Sequence, residues 1–255
     1  MKLLAKIALF FMLAGVVLAV TGLALGADTN IYWDRGFHIG ERTGRSYDLS
    51  FSGEFDSVQI HLNLANLTIE RGDSFRLHGH YPSRALLIDE HGGTLNISSQ
   101  SRRGINIGFV GIQREGHLTL TVPHDVLLEH LNVSLNVGNV TLRDVEAERV
   151  HISSDLGNVT ANRIHFGDAR IESAVGNVDV SGVLFGDARL LSDLGNVAVT
   201  LELDESEVNW SASAGLGRVS YNGQSRGNNA SGHSRNPSLV LDMSSGVGNV
   251  DVRFR

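Results

Sequence analysis

The 255 residues contain no cysteine, so disulfides, thiolate nucleophiles and Cys-based metal sites are excluded outright. Proline is scarce at 3 and aromatics make up 6%, whereas glycine is frequent at 29. That balance suits many short elements joined by tight corners better than a few long helices. The body of the chain has no Lys/Arg cluster and the net charge is -7, so the electrostatic footprint of a nucleic-acid binder is missing. Catalytic signatures are lacking too. Neither Gly-x-Ser-x-Gly nor His-Glu-x-x-His occurs, which leaves no nucleophile elbow and no zincin helix. Gly246-Val247-Gly248-Asn249-Val250-Asp251 has only the outline of a dinucleotide loop, because no helical stretch follows it, and no cofactor is expected.

Charge is also absent from Ile7 to Leu25, a nineteen-residue run close to the roughly 20 that span a bilayer as a helix. Lys2 and Lys6 precede it and hold the N-terminus in the cytoplasm by the positive-inside bias. The expectation is one hydrophobic helix within residues 1–27, a single-pass anchor through residues 7–25, with the rest of the chain extracytoplasmic. The alternative is a signal peptide cleaved near Gly26 or Ala27, for which Ala24-Leu25-Gly26 is a passable small-x-small site.

What is abundant is repetition. Three successive nineteen-residue units, 138–156, 157–175 and 176–194, each open on Gly-Asn-Val, at Gly138-Asn139, Gly157-Asn158 and Gly176-Asn177. The register continues through Gly195-Asn196, slips by three to Gly217-Arg218, and closes at Gly248-Asn249. Self-similarity at a fixed period signals stacked repeats. Val140, Val159, Val178 and Val197 form one apolar column, and Leu142, Ala161, Val180 and Val199 another two residues on, the period of a strand. Val145, Ile164 and Val183 make a third, followed by Val150, Ala169 and Ala188, and then by Ile152, Ile171 and Leu190. Each unit thus offers two short strands, and stacking shares their apolar faces and edges with neighbours. The fold expected is all-β, a parallel β-solenoid of about nineteen residues per coil, its crossovers right-handed by default.

The corner itself reads as architecture. Glycine supplies positive φ at a sharp turn, and each neighbouring Asn can stack on its equivalents as an amide ladder, broken where Arg218 replaces it. Upstream, Ala65-Asn66, Gly93-Thr94 and Gly116-His117 each precede an alternating strand and read as irregular coils over 51–137, with Ser57 to Leu64 as the first strand. Residues 28–50 read as a juxtamembrane linker, 138–216 as regular coils, 222–238 as a polar loop and 239–255 as a terminal coil. The last strand, Val250 to Arg255, is a candidate cap for the open end of the stack.

Three stretches carry a family resemblance. They are Leu120-Thr121-Val122-Pro123 running on to Leu131-Asn132-Val133-Ser134, the recurring Ser-x-x-Gly-Asn-Val coil as in Ser154 to Val159, and the terminal Ser244 to Val250. In these the chain resembles the bacterial putative-adhesin family, membrane-anchored β-solenoid domains of largely unknown function. This corner reads Leu-Gly-Asn-Val where the family usually reads Ser-Gly-Asp-Ile, which weakens any idea of a charged or calcium-binding stripe. The resemblance implies an adhesive or scaffolding role at the cell surface, with cell-wall polymer, glycan or a surface protein as partner.

Catalysis is not expected. Asp155 and Asp193 share a column with Ala174 between them, and Asp168 and Asp187 sit in Phe-Gly-Asp-Ala turns where the plain role is a bond to their own backbone. His78 and His80 point to one face of a strand but lack a third ligand. Arg102-Arg103 reads as a solvated turn. The candidate binding surface is Arg170 and Arg189, one coil apart, with Arg218 and the 222–238 loop. A carbohydrate-active β-helix enzyme and an envelope-stress sensor are the alternative functions.

Overall fold

The structure, a computed structural model, describes residues 31–33, 37–39, 45–81, 86–99 and 116–255. The expected hydrophobic helix of residues 1–27 and the Arg102-Arg103 turn lie outside these residues. Among the described residues no helix is long and apolar enough to cross a membrane. Apart from one 3-10 turn at Glu205–Glu207, every element of them is a strand. Ile31–Trp33 and Phe37–Ile39 form an antiparallel pair in a unit of their own.

Two parallel stacks build the larger unit. One holds the strands after each corner, with Val140 beside Val159, Val159 beside Val178 and Val178 beside Val197. The other holds the strands before it, so that Ile152 lies beside Ile171 and Ile171 beside Leu190. The side chains of a strand alternate between faces, so an in-register nineteen-residue repeat aligns like residues into inward columns. Val140, Val159, Val178 and Val197 are fully buried, as are Leu142, Ala161 and Val180.

One expected column breaks. Between Asn162 and Ile164 the pairing shifts by one, setting Ile164 beside Gly182 and Phe166 beside Leu184. A one-residue slip moves a side chain to the opposite face. Val183 therefore stands half-buried while Leu184 enters the core.

Coil order in space departs from coil order in sequence at both ends. Ser57–Gly72 is not the first layer. It lies between the strands Thr94–Ser99 and Gly116–Pro123 on one side and Leu128–Val137 and Val140–Arg143 on the other. Gly93 is no coil corner but half of a tight turn joining the antiparallel strands Leu86–His91 and Thr94–Ser99, with φ of +57° at Gly92 and +76° at Gly93. At the other end, Leu239–Val247 and Val250–Phe254 insert between the 188–201 layer and the 208–221 layer. The last strand is therefore an interior layer and not the cap anticipated for it.

The ends are closed by antiparallel strands. Arg45–Ser50, assigned to a linker by its weak pattern, pairs with Arg76–Tyr81, and the buried Tyr47 hydroxyl accepts from the Leu86 N–H at 2.7 Å. Residues 222–238, expected as a loop, supply Gln224–Ser225 and Asn229–Gly232, which pair with Val219–Tyr221 and Val208–Leu216. Beneath them the Trp210 ring stacks on Tyr221 at 5.1 Å, with both polar ends on the Glu205 carboxylate. Burial and that carboxylate push the Tyr221 phenol up to about 12.

Candidate functional site

Each corner is a five-residue device. At four corners, Gly157, Gly176, Gly195 and Gly248, the residue three places before the glycine is a buried serine that donates to the glycine carbonyl of the adjacent layer, as Ser173 does to Gly157 at 2.9 Å and Ser192 to Gly176 at 2.7 Å, whereas Leu135 and Ala214 stand there at Gly138 and Gly217. The Asn after the glycine accepts, through Oδ1, the backbone N–H of the next Asn, at 2.9 Å from Asn158 to Asn139 and 2.8 Å from Asn177 to Asn158. The ladder runs unbroken from Asn66 through Asn139, Asn158, Asn177 and Asn196 to Asn249. Arg218 does not interrupt it. The inserted terminal coil puts Gly248-Asn249 directly on Gly195-Asn196, and Arg218 receives Asn249 at the end of the column through its own N–H at 3.1 Å.

Asn158→Ala removes the acceptor for one backbone and one side-chain N–H of Asn177, at an exposed position where water replaces part of the loss. A destabilisation of about 1 kcal/mol is expected in urea unfolding, the usual net value of a hydrogen bond.

The outward face of the second stack is shaped differently. Its two outward columns line a shallow groove of about 760 Å³ crossing several coils. In one column His130, Arg149, Asp168 and Asp187 follow one another, and in the next Asn132, His151, Arg170, Arg189 and Asp242. Arg149 reaches back to His130, with its Nη2 3.2 Å from the ring Nε2, and Arg170 pairs with Glu172 on its own strand. Arg189 lies in register with both Arg170 and Asp242. The Asp242 carboxylate accepts from the Ser211 hydroxyl at 2.6 Å.

Contrary to the expectation from sequence, the two turn aspartates bond the backbone of a neighbouring coil and not their own. Asp168 Oδ1 accepts from the N–H of Asp187 at 3.1 Å, and Asp187 Oδ1 from that of Val240 at 2.8 Å. They form a second, shorter ladder across coils. Arg170 and Arg189 are thus brought together as anticipated, whereas Arg218 lies at the corner column, outside the groove lining. Arg149, His130 and His151 were missed because only near-identical columns stood out. Aligning every coil on its glycine and reading the sixth and eighth residues before it recovers all of them. His78 and His80 lie on the antiparallel strand Arg76–Tyr81, and no group of three or more His, Asp or Glu able to hold a metal occurs among the described residues.

A second surface also went unread. The residue before each corner glycine is apolar and points outward, and Val137, Leu156, Val175, Leu194, Val247 and Leu216 align in register as a ridge, between 38% and 72% exposed.

The family model described as Toastrack DUF4097 matches residues 55–215. No curated protein matches the chain. Among solved structures, a "putative cell adhesion protein" from Clostridium sporogenes is 14% identical with a TM-score of 0.49, covering 83% of this chain and 100% of its own. A "putative adhesin" from Bacteroides fragilis is 15% identical with a TM-score of 0.45, covering 83% and 98%. A "putative lipid binding protein" from Parabacteroides distasonis is 17% identical with a TM-score of 0.34, also covering 83% and 98%.

Proposed function

The chain belongs to the Toastrack DUF4097 family, and from that premise we propose that it is a non-catalytic binding or scaffolding protein of the cell envelope, adhesin-like in action. Residues 7–25 anchor it in the membrane, and the solenoid faces the extracytoplasmic side, where its partner is a cell-wall polymer, a glycan or a surface protein. One observation carries the reading. The groove is made by the strands themselves, so its charged side chains stand on a rigid sheet at the interstrand spacing of about 4.8 Å. A surface of that kind suits repeated contacts along an extended partner. Its two adjacent turn carboxylates, Asp168 and Asp187, each commit an oxygen to the backbone of the next coil, which suits them to architecture more than to proton transfer.

The test is binding of the full chain, in detergent micelles, to purified envelope fractions, a glycan panel and matrix proteins. Saturable binding to one class without release of product is the expected outcome. Release of new reducing ends from a glycan would overturn the non-catalytic reading in favour of a carbohydrate-active enzyme.

A further inference from the structure

The groove has features that narrow its ligand. Arg170 and Arg189 occupy the same column on adjacent strands, and like charges directly opposite one another destabilise a sheet. Arg170 has Glu172 beside it, but among the described residues the Arg189 side chain makes no hydrogen bond or ion pair. A guanidinium left open beside another, inside a concavity, is arranged to meet an anion from outside.

We infer that the groove binds an acidic polysaccharide, a polymer of hydroxylated rings bearing spaced carboxylates. This rests on the binding reading above and names its ligand. Three features of the lining select this class. Asp168, Asp187 and Asp242 flank the arginines, and their charge disfavours a dense polyanion such as polyphosphate while their oxygens accept sugar hydroxyls. No Phe, Tyr or Trp lines the groove, whose only rings are the small imidazoles of His130 and His151, so a neutral sugar lacks a broad apolar face to stack on and affinity has to come mainly from charge. The lining reaches from Gln59 to Asp242 across successive coils, which fits a chain better than a single sugar. Arg170 and Arg189 take carboxylates, while Asn132 and the aspartates take the hydroxyls between them.

The experiment compares full-length protein with an Arg170→Gln/Arg189→Gln variant, using polygalacturonate, its carboxyl-reduced neutral counterpart and inorganic polyphosphate as probes, with the envelope fraction alongside. Both arginines are exposed, and thermal melting of the variant checks that the fold is kept. Polygalacturonate should bind saturably and more weakly as salt rises. Affinity should fall about tenfold or more both on carboxyl reduction and in the variant, as loss of charge-assisted pairs requires. Equal binding of the reduced polymer, an unaffected variant, or polyphosphate binding as well as polygalacturonate would each overturn the inference. If the envelope fraction binds and polygalacturonate does not, the ligand class is wrong and the binding reading stands. If neither binds, both fall.

Discussion

Gly176→Ala is expected to cost more than about 4 kcal/mol, beyond the ordinary range for a point substitution and a large share of a typical domain's total stability. Gly176 has φ of +154°, a conformation L side chains rarely adopt. Its neighbour makes the case stronger. A Cβ there would sit 1.9 Å from the carbonyl oxygen of Gly157 and 2.9 Å from the Ser173 hydroxyl that binds the same oxygen. No rotamer relieves a clash with backbone. Relief would need the coils to part locally, breaking ladder bonds and the Asn158–Asn177 contact together. Urea denaturation measures the loss, and Gly92→Ala is the control. Gly92 also has positive φ, but no atom lies within 4 Å of the added Cβ, so only the left-handed strain of about 1 to 2 kcal/mol applies. Equal losses at the two sites would show that close approach of the coils is not what the corner glycine serves.

Arg71→Ala is expected to cost about 3 to 5 kcal/mol, because it takes the donor from three partly buried carbonyls at once. The side chain is 6% exposed and reaches three carbonyls, with Nε 2.9 Å from Asp144 and Nη1 2.5 Å from both Pro123 and Val126. Nη2 lies 3.5 Å from a Glu146 carboxylate oxygen. One guanidinium thus ties the turn after Gly116–Pro123 to the corner before Glu146–Leu156. Each buried acceptor left without a donor costs about 1 to 3 kcal/mol, with water recovering part of it. Arg71→Lys should recover little, because an ammonium lacks the planar fork that spans separated acceptors. A lysine variant with wild-type urea midpoint would show that the fork geometry does not matter.

The regular coils were legible because a nineteen-residue period makes residues nineteen apart neighbours in space. Val140, Val159, Val178 and Val197 align by spacing alone, and each is the register partner of the next. The same reasoning failed where chain order and stacking order part company. Gly217-Arg218 and Gly248-Asn249 are both competent corners, and local pattern does not say which one docks on Gly195. The break in the Asn column at Arg218 was the one visible trace of the interleaving. Val183 was misplaced for a smaller reason, since a one-residue register shift leaves composition and period unchanged. At the groove, Arg170 and Arg189 stood out as identical residues in one column. Arg149 and His151 did not, because the residue type changes from coil to coil in their columns and variety hides a column.

The interleaved order bears on how the protein is made. During synthesis the 208–221 segment emerges before 239–254, yet its place lies beyond it, against a layer that does not yet exist. The exposed edge of 188–201 meanwhile offers nearly the same corner, strand and apolar columns that 239–254 will later present. Premature docking of 208–221 on that edge is a register trap, and escaping it means peeling off a formed layer. The 208–221 layer therefore reaches its place only after 239–254 has emerged, and until then the growing end stays open to other chains with unpaired edges.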